Sequence, residues 1–296
     1  MRAPPADASS AAPDRPAPHR PASVVRLGTQ GWNYGAWVGP FYPTGTRAVD
    51  FLATYARAFD TVEVDSTFYA VPAERAVLGW AERTPAHFRF ALKLPQAVTH
   101  ESRLRGADDV LEAFFDRARL LGPKLGPVLV QLGPDFGPDE LPALVRFLPK
   151  LPDDVQVAIE FRQRGWLTEG VLNLLADHGV APALSDGKWV PRRWMLSLAD
   201  RFAARPPAPF AYVRWMGPNR DLVDYSRIQV DRSRELGLWA QAVAAMTQAA
   251  TGVREVYGYV NNHWAGHSPA STRELQRLLG LRPVEPEALG DQLSLL

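Results

Sequence analysis

Polarity alternates with period two in three short stretches of the chain. In VEVDSTF, Val62 and Val64 share one face while Glu63 and Asp65 share the other. In FRFALKL, Phe88, Phe90, Leu92 and Leu94 oppose Arg89, Ala91 and Lys93; in VQVAIEFR, Val155, Val157, Ile159 and Phe161 oppose Gln156, Ala158, Glu160 and Arg162. Each stretch therefore predicts a strand with one apolar and one polar face. Comparable runs place strands at 24–32, 61–69, 88–95, 127–133, 155–162, 180–186, 210–217 and 255–262. Amphipathic stretches between them predict helices at 48–59, 73–83, 108–121, 141–149, 169–178, 234–249 and 272–280. Strand and helix in regular succession is the pattern of βα units on a parallel sheet, and eight such units predict a single-domain α/β fold, a (β/α)8 barrel of the TIM type. An open doubly wound sheet usually carries a Gly-rich phosphate turn after its first strand, and GTQGWNYG does not fit G-x-G-x-x-G.

In a barrel, the apolar faces pack under the helices and the polar faces point inward. Charges inside are costly unless they pair or sit near the open mouth. The mouth is then expected to collect Glu63, Asp65, Lys93, Glu160 and Asp186 as candidate acids, bases or metal ligands. Gln131, Arg162 and Arg214 join them as ligand-binding groups, with His100 and His263 just beyond strands three and eight. Asn261 and Asn262 precede His263 and can read hydroxyls or phosphate oxygens. Near them, Ser268 and Pro269 read as the start of a helix whose free N–H groups suit an anion.

Rings crowd the first loop. GTQGWNYGAWVGPFYP follows strand one directly, so Trp32, Tyr34 and Trp37 are expected to arch over the mouth, with Phe68 and Tyr69 beside them, as a stacking platform for a sugar or base.

Composition narrows the chemistry. The 296 residues carry a formal net charge of +1, so no global field recruits nucleic acid or membrane, and polyanion binding requires a local basic cluster. Absence of cysteine removes disulfides, thiolate metal sites and thiol nucleophiles. Histidines are too few at the mouth for a usual catalytic zinc site, which leaves a magnesium- or manganese-type carboxylate site as the open metal alternative; no organic cofactor is expected. No G-x-S-x-G elbow supports covalent acyl chemistry. Residues 1–23, rich in Pro and Ala, read as a disordered arm without an apolar leader, and a cytoplasmic location is expected.

The motifs GTQGWNYGAWVGPFYP, VEVDSTFYAVP, FRFALKLPQAVTH, GPVLVQLGPDF, AIEFRQRGW, YVRWMG and YVNNHWAGHSPAST, in this order, closely resemble the YecE-like family, domain of unknown function seventy-two. The resemblance covers about residues 24–281. It implies a TIM barrel and leaves the reaction open. Two positions depart from the family's pattern: Asp65 stands where Asn is common, and Met216 where His is common.

Residues 282–296 read as a C-terminal tail. Within it Gln292, Leu293, Ser294, Leu295 and Leu296 resemble the short peptide that docks bacterial repair proteins on the sliding clamp. Together these readings predict an enzyme that acts on a phosphorylated sugar or nucleic-acid component by acid/base chemistry, with a link to DNA maintenance. The alternatives are a carbohydrate-active enzyme using paired carboxylates such as Glu63 and Glu160, and a non-catalytic nucleotide-binding module.

Overall fold

The structure, a computed structural model, describes residues 23–218, 221–248 and 251–290. Its strands are β1 (Val24–Thr29), β2 (Thr61–Val64), β3 (Arg89–Lys93), β4 (Leu125–Gln131), β5 (Val157–Glu160), β6 (Ala181–Pro182), β7 (Leu184–Gly187), β8 (Phe210–Gly217) and β9 (Glu255–Val260). All pairings are parallel, in two arcs ordered β2-β3-β4-β5-β6 and β1-β9-β8-β7. At one junction β6 and β7 form a single strand interrupted at Ala183, whose N–H donates to the Ile159 carbonyl at 2.8 Å. Pro182 has no N–H for a ladder, so the sixth strand arrives in two pieces. At the other, Gln30 bridges Glu63 and the Gly31 N–H donates to the Glu63 carbonyl at 2.8 Å. The fold is the expected TIM-type barrel.

Helices follow the strands: α1 (Phe51–Tyr55), α2 (Glu74–Glu82), α3 (Asp108–Arg119), α4 (Leu141–Phe147), α5 (Glu169–Asp177), α6 (Arg192–Ala204), α7 (Ser233–Met246), α8 (Asn262–Ala265) and α9 (Ser268–Leu278), then α10 (Pro286–Gly290). The pattern reading leaves α6 unassigned. Its signal was present, since Met195, Leu198, Ala199 and Phe202 are buried at helical spacing. Strand parity sorts the layers as expected. Val62, Val64, Phe90, Leu92, Val128, Val130, Val157 and Ile159 join helix residues Val77, Phe114, Leu144 and Leu175 in one core. The opposite phase then sends Lys93, Gln131 and Glu160 inward.

The junction of β1 and β2 has no continuous ladder, and Tyr55 ties it. Its hydroxyl accepts from the Thr29 N–H at 2.8 Å and donates to the Thr61 carbonyl at 3.0 Å. Only glycine fits beside it: a Cβ at Gly28 would lie 2.0 Å from the Thr61 oxygen and 2.9 Å from the Tyr55 hydroxyl. Gly28→Ala must push backbone apart, so it is expected to lower stability by about 3 kcal/mol, measurable by urea unfolding. An unchanged midpoint would mean that the two strands separate freely.

Both ends of the barrel differ from the sequence reading. Ser23, assigned to the arm, places its hydroxyl 2.7 Å from the Val253 carbonyl. The tail is docked as far as residue 290: Leu289 is fully buried in the core, and Arg57 donates to the carbonyls of Ala288 and Leu289. The rest of the arm and the clamp-like residues Gln292, Leu293, Leu295 and Leu296 lie outside the described residues. Among the described residues no helix is long and apolar enough to cross a membrane.

Candidate functional site

The C-terminal rim of the barrel opens on a cavity of about 450 Å³, a size that suits a small ligand. Lys93, Gln131, Glu160 and Arg214 reach it from the ends of β3, β4, β5 and β8. The turn after β2 adds Asp65, Phe68 and Tyr69; later turns add His100, Phe161, Arg162, Lys188, Trp189, Asn261 and His263.

Its floor is one ionic network. The Arg214 guanidinium donates through Nε and Nη2 to both oxygens of Glu63, at 2.9 and 2.6 Å, and through Nη1 to Glu160. Glu63 also accepts from the Tyr212 hydroxyl and from Gln30 Nε2, each at 2.6 Å, and Glu160 accepts from Gln131 Nε2 at 2.8 Å. Burial would raise the Glu160 carboxyl, but Arg214, Arg162 and Lys93 outweigh it and hold the group at about 2. Arg214 and Glu63 are buried with their donors and acceptors engaged, which makes the pair a rigid floor.

Above the floor the chemistry changes. Lys93 is 8 % exposed, and its Nζ stands 3.9 Å over the Phe68 ring. Among the described residues no carboxylate comes within ion-pair distance of it. Burial, helped by Arg214, lowers its ammonium to about 8 against the pull of Asp65, Glu63 and Glu160. Asp65 moves the other way: burial and the Glu63 charge raise it to about 6, although Lys93 and Arg214 draw it down. A carboxyl and an amine that both titrate near neutrality thus share one cavity. The backbone of Lys93 is clamped as well, since its N–H donates to Thr67 Oγ1 at 2.9 Å and its carbonyl lies 2.7 Å from the same hydroxyl. Thr67 belongs to a single 3-10 turn over Asp65–Phe68, where the alternation had predicted strand up to residue 69. That turn brings Phe68 and Tyr69 to the rim.

Several candidates from the sequence, Trp37 among them, do not line the cavity. Asp186 points to the helical layer, where it accepts from Trp239 Nε1 at 2.6 Å and pairs with Arg192 of α6; Ser185 and Gly187 carry the inward phase of β7. Glu63 belongs to the floor network and does not line the cavity. Asn262 Oδ1 accepts from the Ser268 N–H at 3.0 Å and from Trp37 Nε1 at 3.3 Å, so it occupies the start of α9 that had been read as an anion site. Trp32 packs edge-on against Trp80, and Tyr34 packs on Trp37 with centroids 4.6 Å apart. The first-loop rings are core: Trp37, Phe41 and Tyr42 are fully buried, and Tyr42 stacks on Phe51 at 4.4 Å. Rings at the mouth come instead from Phe68, Tyr69 and Trp189, of which Tyr69 is 74 % and Trp189 43 % exposed.

Sequence reasoning missed Lys188 and Trp189. They follow β7 in SDGKWV, and a basic and an aromatic residue beside a glycine at a strand end was the available signal. Lys188 Nζ sits 4.4 Å over the Trp189 ring, and the Arg162 guanidinium 5.6 Å from it. His100 hydrogen-bonds Thr99 at 2.9 Å and meets Phe68 edge-on; burial, then Arg162 and Lys93, lower its pKa. The His263 ring lies 3.3 Å from the Tyr225 hydroxyl, and Asn261 donates to Gln30, whose amide also contacts Met216. Among the described residues no group of three or more His, Asp or Glu side chains converges as a metal site would require.

The model of the family described as "Protein of unknown function DUF72" matches residues 26–292. The chain belongs to the DUF72 family. The UPF0759 protein YecE of Escherichia coli K12 is 32 % identical over 237 residues, 77 % of this chain and 84 % of that protein. YunF of Bacillus subtilis, another UPF0759 protein, is 32 % identical over 152 residues, covering 49 % of this chain and 53 % of YunF. A DUF72 crystal structure from Thermotoga maritima superposes with a TM-score of 0.70 at 23 % identity, over 87 % of this chain and 99 % of that one. A second, from Enterococcus faecalis, gives 0.66 at 21 %, over 88 % and 98 %. These DUF72 structures share the barrel.

Proposed function

We propose that the protein is an enzyme acting on a small phosphorylated sugar by acid/base chemistry at the barrel mouth. The observation that supports this reading is that Lys93 and Asp65, titrating at about 8 and about 6, line one cavity with the cations Arg162 and Lys188. Arg162 and Lys188 attract the phosphate, the exposed rings of Tyr69 and Trp189 cover the sugar face, and Lys93 and Asp65 exchange protons with the reacting carbons and hydroxyls. Glycoside hydrolysis by Glu63 and Glu160 is disfavoured, because both carboxylates are engaged by the same guanidinium and Glu63 does not line the cavity.

Binding is tested first by calorimetry with paired sugars and sugar phosphates. Phosphorylated members are expected to bind at least about tenfold tighter, with the difference shrinking in high salt. Equal binding of both members rejects the reading. With a turned-over member of that panel, kcat/KM should rise as pH passes about 6 and fall as it passes about 8, since Asp65 must lose and Lys93 retain a proton, or the reverse. Asp65→Asn should remove the break at about 6; a break that persists there assigns it to another group.

A further inference from the structure

We infer that Lys93 is a nucleophile that condenses with the carbonyl of an open-chain sugar phosphate to form a protonated Schiff base. This rests on the reading above and adds a covalent step to it.

The first argument is the choice of cation. All but four of the 33 Lys and Arg residues are arginine; the lysines are Lys93, Lys124, Lys150 and Lys188. Arginine keeps its proton at any physiological pH, whereas lysine can become a free amine. Arginines already stand at this site, Arg162 at the mouth and Arg214 in its floor. A lysine at position 93 adds what they lack.

The second is geometry. Lys93 Nζ rests on the Phe68 ring in the cavity, with its backbone held by Thr67, and no carboxylate within ion-pair distance among the described residues engages it as a structural counter-ion. Among the described residues, Lys124 instead donates to the carbonyls of Ala81 and Thr84, and Lys150 pairs with Asp108. An amine at about 8 is about one-tenth neutral at pH 7, against about one part in three thousand for an ordinary lysine at 10.5.

The step balances without oxidant or reductant. The neutral Nζ adds its lone pair to the carbonyl carbon while one proton moves from nitrogen to the former carbonyl oxygen, giving a carbinolamine. The protonated Asp65 carboxyl gives its proton to that hydroxyl, which leaves as water, and the nitrogen lone pair forms the C=N⁺ bond. Asp65 is left as a carboxylate beside a carbon whose C–H the iminium has acidified. Proton removal there is the acid/base chemistry of the proposed function.

Sodium borohydride reduces such an iminium to a stable amine. Dihydroxyacetone phosphate and ribose 5-phosphate are the probes, with dihydroxyacetone and ribose as controls. After reduction, the intact mass should rise by the mass of the probe less one oxygen atom, and peptide mapping should place the adduct on Lys93 at least about tenfold above Lys124 and Lys150. Lys93→Arg should lose it. Calorimetric binding of either phosphate without an adduct on Lys93, or with the adduct on Lys188, overturns the inference and leaves the acid/base reading standing. Failure of both phosphates to bind overturns the two together.

Discussion

Arg214→Met is expected to destabilise the protein by about 5 kcal/mol, enough to unfold much of it at 37 °C. Arg214 is 1 % exposed and is the shared partner of two buried carboxylates, Glu63 and Glu160. Breaking a buried pair typically costs about 3–5 kcal/mol, and here one substitution takes the shared cation from two buried carboxylates, in a fold whose whole stability is of order 5–15 kcal/mol. Methionine fills most of the volume, so lost packing contributes little. The loss should shrink on acidification, because Glu160, no longer held down by Arg214, can then take up a proton. Urea unfolding at pH 7 and pH 5 measures both effects; a shift below about 1 kcal/mol would mean that the network contributes geometry alone. In the wild type the sign is opposite. Glu160 titrates at about 2 in the folded state against 4.5 ordinarily, so the unfolded chain binds more protons between those values. Its contribution is complete above pH 4.5 and is lost as pH falls towards 2.

Lys93→Met is expected to abolish turnover, by at least about a thousandfold in kcat/KM, while raising stability by about 1–3 kcal/mol at pH 7. The folded state holds the ammonium at about 8 against 10.5 ordinarily, so between these values the unfolded chain binds more protons and stability rises with pH. At pH 7 the buried ammonium therefore carries an unrelieved cost, which methionine removes. Part of the gain is lost because Asp65 loses a nearby cation. Thermal melts together with kinetics on one preparation make the check. A variant that is both less active and less stable would identify Lys93 as a structural residue.

Most of the barrel was legible in the sequence, and the reason is local. Glu63 and Val64, or Ala91 and Leu92, are neighbours in the chain, and the pleat alone sends them to opposite faces. Helix α6 obeys the same kind of rule and was equally readable. What parity does not carry is depth along the strand and the identity of partners across the barrel. Asp186 has the charge and strand-end position of a catalytic group, yet its phase faces α6 and α7, where Arg192 and Trp239 meet it. Aromatic residues in a loop look exposed in the sequence; in the fold α1, His267 and Arg273 of α9 cover the first-loop rings.

The chain by itself determined the layer each strand residue enters, the absence of thiol chemistry, and the gathering of acids and bases at one rim. Only tertiary structure decided which of those groups stay available for chemistry. Glu63 and Lys93 face the same interior, but Glu63 is engaged by Tyr212 and Arg214, about 150 positions away, whereas Lys93 meets a phenylalanine ring. Electrostatic fate depends on distances across the barrel, and those are set by closure of the sheet, not by neighbours in the sequence.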